Sequence, residues 1–105
     1  MQGGDIVDGT GKGDPNFTLT DESYGVKHDQ PGILGMALVD NKPNTANSQF
    51  YITLAPIPSL DKRRVAFGRV IPESLPAFLS AMREIKLTGN ERPIPELVIA
   101  SCKMI

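Results

Sequence analysis

Pro43-Asn44-Thr45-Ala46-Asn47-Ser48-Gln49-Phe50-Tyr51-Ile52-Thr53 is the stretch whose reading decides the fold. Its first half is small and amide-bearing, residues that favour turns because their side chains bond nearby backbone and tolerate tight bends. Its second half is aromatic and β-branched, which suits a pleated, half-buried strand. The composition therefore predicts a loop over residues 43–48 and a strand over residues 50–53. Gln49 enters that strand beside an aromatic ring, so an amide that both donates and accepts is offered next to an apolar hollow. Taken alone, the stretch reads as a loop feeding a core strand.

Working outward, Ile33-Leu34-Gly35-Met36-Ala37-Leu38-Val39 is an unbroken apolar run, consistent with a strand buried on both faces, with Gly35 allowing close backbone approach. Met36 is expected to pack, as flexible methionines usually do. Asp40-Asn41-Lys42 leads as a polar loop into Pro43. On the other side, two prolines in Ala55-Pro56-Ile57-Pro58-Ser59 stop helix and central strand alike, so this segment is a rigid loop. Lys62-Arg63-Arg64 reads as solvated surface. Residues 65–71 return to strand propensity, with Phe67 beside Gly68.

Residues 72–87 hold the one clear helix. Leu75, Phe78, Leu79, Met82 and Ile85 recur at helical spacing and form an apolar stripe that would cap one end of a barrel. Ser74 or Glu73 stands at the N-cap, Pro76 in the first turn, and Gly89 marks the stop. Residues 91–95 make a stiff connector, and residues 97–105 read as a last strand.

Toward the N-terminus, residues 5–8 alternate like a strand and are ended by a glycine-rich run. That run is not a phosphate loop: Gly13, Asp14 and Pro15 follow Lys12, where the motif needs Ser or Thr and then a helix. It reads as a surface loop. Residues 16–20 suit a short strand and residues 21–25 a polar turn. His28, the single histidine of the chain, is flanked by Lys27 and Asp29 without a second ligand type, and reads as a solvated loop residue.

Composition bounds the rest. The 105 residues make one domain at most, of a size at which a single core buries roughly 60 to 70% of the unfolded surface. The 11 basic and 12 acidic residues leave a net charge of -1, so no basic footprint for nucleic acid or an anionic membrane is present. Cys102 is the single cysteine, which excludes an internal disulfide, fits a reducing, cytoplasmic compartment and reads as a small buried apolar residue. No apolar run reaches membrane-spanning length. The 10 glycines and 9 prolines imply short elements with many turns.

In this order, Met1-Gln2-Gly3-Gly4-Asp5, Gly9-Thr10-Gly11, Pro31-Gly32-Ile33-Leu34-Gly35-Met36-Ala37, the opening stretch, Leu60-Asp61 and Val65-Ala66-Phe67-Gly68-Arg69-Val70 resemble the cyclophilin-type peptidyl-prolyl cis-trans isomerases. Val98-Ile99-Ala100-Ser101-Cys102 is similar to that family's closing strand. The resemblance implies a mainly β fold with one or two helices: a cyclophilin-like antiparallel β-barrel lacking the N-terminal strands and first helix, with residues 1–105 as a partial domain. It implies isomerisation of X-Pro bonds, proline-containing peptides or proteins as partners, and neither cofactor nor metal.

Residue by residue, the resemblance implies that Gln2 is the catalytic glutamine contacting substrate. Ala37 and Leu38 bond the substrate backbone, and Gln49 is the second groove glutamine. Tyr51 takes the place of the usual phenylalanine on the pocket floor, and Leu60 is the aliphatic wall. Arg64 stands where histidine is commonest, and Ser59 where many members have a tryptophan that helps bind cyclosporin. Gly9 and Thr10 lie near a secondary pocket. Without the resemblance, Leu38, Tyr51 and Leu60 read as core, and Gln2 and Gln49 as surface amides. The family's arginine, shortly before Gln-Gly-Gly, would fall before Met1. A longer polypeptide or a partner is therefore expected to cover exposed strand edges. The alternative is a catalytically silent binding or structural module in a larger assembly, similar to divergent members associated with cilia.

Overall fold

The computed structural model describes residues 1–4, 13–14, 16–87, 93–94 and 97–104. They divide into two compact units, 1–72 and 73–105. The first unit is built on a four-stranded antiparallel sheet of order β1-β3-β2-β4, where β1 is Gln2–Gly3, β2 Ile33–Leu38, β3 Ala46–Ile52 and β4 Ala66–Arg69. The two strands that the sequence marks most clearly, β2 and β3, are the inner pair.

The β2–β3 register sets Leu34 against Ile52, Gly35 against Tyr51 and Met36 against Phe50, then slips before Leu38 meets Ala46. This slip bends the ladder where the loop begins. β3 consequently starts at Ala46, earlier than expected, because Ala46 finds partners both in Leu38 and, by an isolated bridge, in Leu19. Residues 16–20 form that single bridge and no strand. Val39–Asn41 makes a turn of 3-10 helix, with Asp40, Asn41 and Asn44 in the left-handed region, which short polar side chains tolerate. Thr45 holds this turn shut, its hydroxyl accepting from the Val39 N–H and donating to the Lys42 carbonyl.

Among the described residues of this unit, the buried side chains are Ile33, Ala46 and Ala66 on the apolar side and His28, Asn47, Gln49 and Thr53 on the polar side. Thr53, 2% exposed, donates its hydroxyl to the Gln30 carbonyl and accepts from the Ile33 N–H. It thereby closes the polar ends of two segments that the ladder leaves open. Ser48 does the same on the opposite strand edge, accepting from the Asp14 N–H at 3.0 Å and donating to the Gly4 carbonyl at 2.6 Å. Gly13 is buried against the Asn47 amide, where an added Cβ would stand 2.3 Å from Oδ1.

In the second unit α1 spans Leu75–Arg83, with Ser74 at its N-cap and Pro76 in the first turn. Leu75, Phe78, Leu79, Met82 and Ile85 are the half-buried residues of residues 75–85 and the rest are exposed, so the stripe read from spacing is the face with shelter. The helix ends at Arg83 rather than running to residue 87, because Lys86–Leu87 pairs as β5 with Pro93–Ile94, β6. Gly89, the expected stop, and the expected strand over residues 5–8 lie outside the described residues. Residues 97–104 carry no strand, since none of the described strands pairs with them, and Cys102 is exposed rather than buried. Among the described residues no helix is long and apolar enough to cross a membrane.

Candidate functional site

Alternation along a strand puts Gln49 and Tyr51 on one face of β3. Gln2 pairs opposite Tyr51 across the β1–β3 ladder, and Gly35 opposite it across the β2–β3 ladder. Residues 2, 51 and 35 thus form a row across the sheet, with the two expected glutamines at and beside it. Gln2 is exposed, whereas Gln49 is only 7% exposed, so the second amide is no surface group.

Leu38, Leu60 and Arg64 meet around an open hollow of about 510 Å³, completed by Tyr24, Asn41 and Ser59 among others. Leu60 closes the 3-10 turn Pro58–Leu60, which the two prolines of the rigid loop set up. Arg64 reaches back across the hollow, its Nη2 donating to Asn41 Oδ1 at 2.6 Å. Asn41 belongs to the 3-10 turn Val39–Asn41, so that turn shapes the hollow's rim. Ala37 is half-buried in β2 beside Leu38. Gly9 and Thr10 lie outside the described residues. A second open depression, of about 520 Å³, flanks β4 and is lined by Val26, Lys27, Gln30, Ile33, Phe67 and Arg69 among others, none of them an expected site residue. Of the expected residues, the first hollow gathers Leu38, Leu60 and Arg64, with Ser59, whereas Gln2, Ala37, Gln49 and Tyr51 are not among its lining residues.

His28 overturns its sequence reading. It is 0% exposed, its Nε2 lies 2.6 Å from the Tyr51 hydroxyl, and its Nδ1 lies 2.9 Å from Asp61 Oδ1. The backbone N–H of His28 donates to the same carboxylate oxygen at 2.6 Å, and the Ile57 N–H donates to the His28 carbonyl. The segment before β2 is in this way sewn to the proline-rich loop. The local signs of burial were absent, since the flanking residues are charged; what could have raised the question is Tyr51, whose hydroxyl needs a partner wherever the ring is sheltered.

Charges around the phenol act in opposite senses. Burial pushes Tyr51 up to about 12, the Arg64 guanidinium pulls it down, and the Asp61 carboxylate adds to the rise. Asp61 itself is held below the usual carboxylate range, first by the His28 backbone N–H and then by its ring. Among the described residues no group of three or more His, Cys, Asp or Glu side chains is placed to hold a metal ion. The arrangement offers amides, an apolar wall, a sheltered ring and a cation, equipment for holding a peptide.

A family profile described as cyclophilin type peptidyl-prolyl cis-trans isomerase/CLD matches residues 1–104. The chain is 40% identical over 104 residues to peptidyl-prolyl cis-trans isomerase cyp11 of Rhizopus delemar, covering 96% of this chain and 30% of that protein. It is 43% identical over 105 residues to the probable inactive peptidyl-prolyl cis-trans isomerase-like 6 of Bos taurus, covering 96% of this chain and 32% of that protein. The chain therefore spans about a third of the length of these relatives. A cyclophilin type peptidyl-prolyl cis-trans isomerase of Cryptosporidium parvum, its crystal structure determined in the presence of the dipeptide Ala-Pro, superposes with a TM-score of 0.75 at 39% identity, covering 90% of this chain and 61% of that one.

Proposed function

Because the chain belongs to the cyclophilin-type peptidyl-prolyl cis-trans isomerase family, we propose that it isomerises X-Pro bonds of peptides and proteins and so assists protein folding. Rotation about an X-Pro bond interrupts amide resonance, a barrier of about 18 to 20 kcal/mol. No covalent bond is made or broken. The residues needed are those that hold: a hollow that seats the proline ring, amides that fix the flanking chain, and a donor toward the proline nitrogen as it loses conjugation.

In this reading Leu38 and Leu60 wall the hollow, and Tyr51, outside its lining but within reach of the Arg64 charge, serves as the floor that the family resemblance implies. Gln2 and Gln49 hold the peptide, the backbone of Ala37 and Leu38 pairs with it, and Arg64 guards the rim, with Gly9 and Thr10 at a secondary pocket. The observation that supports it is the pairing of Gln2 with Tyr51, which joins the two halves of the expected groove. Proline-containing peptides are the proposed partners, as Ala-Pro was the dipeptide supplied to the Cryptosporidium relative. We read residues 1–105 as part of one cyclophilin-like domain, matched along 1–104. A cytoplasmic location accords with a sequence whose one cysteine has no disulfide partner within the chain.

A silent binding or structural module in a larger assembly, for example a ciliary one, is the second reading, favoured by the probable inactive relative at 43% identity. A proline-isomerisation assay separates the two, run on this chain and on a form extended upstream by the family's first strands and arginine segment. The enzyme reading expects the extended form to accelerate exchange, and its inactivity would overturn that reading; activity of both forms would overturn the silent module. Proline peptides that leave the NMR signals of Gln49 and Tyr51 unmoved would sink the enzyme reading and peptide binding by a silent module, and leave only its structural form.

A further inference from the structure

A hydroxyl on the floor of a hollow that seats a proline ring is an awkward group, because a polar atom covered by an apolar ligand loses its water partners. Three observations show where the Tyr51 hydroxyl goes instead. It lies 2.6 Å from Nε2 of His28, a side chain that is 0% exposed, so the oxygen end of the ring faces the interior. Asp61 Oδ1 stands 2.9 Å from the other ring nitrogen. A carboxylate only accepts, so Nδ1 carries a proton, and in the neutral imidazole Nε2 keeps the lone pair that accepts the phenol hydrogen. Finally, a Cβ added at Gly35 would stand 2.1 Å from the Tyr51 hydroxyl oxygen. The oxygen occupies the volume that any side chain at position 35 would need.

We propose that His28 is a positioning residue for Tyr51: it draws the hydroxyl inward beside Gly35, so that the ring turns its carbon face and not its oxygen toward a bound proline. Asp61 acts one step further out by fixing the His28 tautomer. A floor tethered at its far end also resists swinging aside, which makes the hollow selective for a five-membered ring over a larger one. The tether stands on the geometry alone, and the selectivity rests on the proposed function.

Two measurements on the chain test this separately. His28 is the single histidine in the sequence, so a long-range proton–nitrogen NMR spectrum of the labelled chain shows one imidazole. The expected spectrum is that of a protonated Nδ1 and a bare Nε2, with Tyr51→Phe moving the Nε2 signal most. Exchange between tautomers, or an Nε2 signal indifferent to Tyr51→Phe, would overturn the tether. The second measurement titrates Ala-Pro peptides and their six-membered-ring pipecolyl counterparts.

His28→Ala is expected to weaken Ala-Pro binding roughly five-fold, the factor one net hydrogen bond supplies, and to narrow the preference over pipecolyl. His28→Gln, which keeps an acceptor at similar reach, should restore part of both. If His28→Ala does not fold, Tyr51→Phe takes its place: with no hydroxyl left to hide, Ala-Pro affinity should be kept, while the preference over pipecolyl should narrow because the ring is no longer held at its far end. Wild-type binding with unchanged affinity and preference in these variants would overturn the positioning role. Absence of wild-type binding would overturn the functional reading and the selectivity with it, while the imidazole spectrum still decides the tether.

Discussion

Tyr51 carries its pH dependence in its surroundings. Burial first, then the opposing influences of Arg64 and Asp61, place its phenol at about 12 against an ordinary 10.0. In the unfolded chain the phenol ionises around the ordinary value, so the fold's preference for the neutral form contributes stability in full below pH 10 and loses it as the pH climbs toward 12. In a Tyr24→Phe background, phenolate absorbance should emerge near pH 12, and Tyr51→Phe should flatten the alkaline limb of the stability profile; a phenol titrating at its ordinary value would show that the ring is not sheltered. Gly35 is the matching residue. A methyl there would stand 2.1 Å from the hydroxyl and 2.2 Å from Cζ, so Gly35→Ala is expected to lower stability by about 1–3 kcal/mol through overpacking, and denaturant unfolding measures it. In a Tyr51→Phe background, where the oxygen and its tether are gone, the loss should shrink.

At the scale of elements, side-chain hydrogen bonds tie the inner strands together beyond the ladder. The Thr53 hydroxyl joins the end of β3 to the first residue of β2 and to the Gln30 carbonyl, at a site almost closed to water. Thr53→Val keeps the shape and strands both partners, and a loss of about 2 kcal/mol or more is expected in the denaturant midpoint; a neutral result would mean that water reaches this site. The 3-10 turn at Val39–Asn41 depends similarly on Thr45. Through Asn41 it also positions Arg64 at the hollow.

At the scale of the molecule, β4 is an edge strand of the first unit's sheet among the described residues, and Phe67 on it is 57% exposed. An unpaired edge with an apolar side chain invites association with another chain. The apparent mass by light scattering should rise with concentration for the wild type and less so for Phe67→Lys, and equal curves would mean that this edge is not the adhesive surface.

The sequence by itself determined which segments are strands and which is the helix wherever the pattern is local: the apolar run of β2, the aromatic half of β3, the return to strand at Ala66–Arg69, and the stripe of α1. Its ordered motifs also carried the family. Tertiary structure alone decided the rest. Ala46 joins β3 because Leu38 and Leu19 come to meet it, and residues 97–104 carry no strand because none of the described strands pairs with them. His28, among charged neighbours, reads as solvated, yet it is buried by Tyr51 and Asp61, which lie 23 and 33 residues along the chain. Periodicity records what a residue's neighbours do, whereas a hydrogen-bond partner far along the chain is supplied only when the backbone has folded back to bring it near.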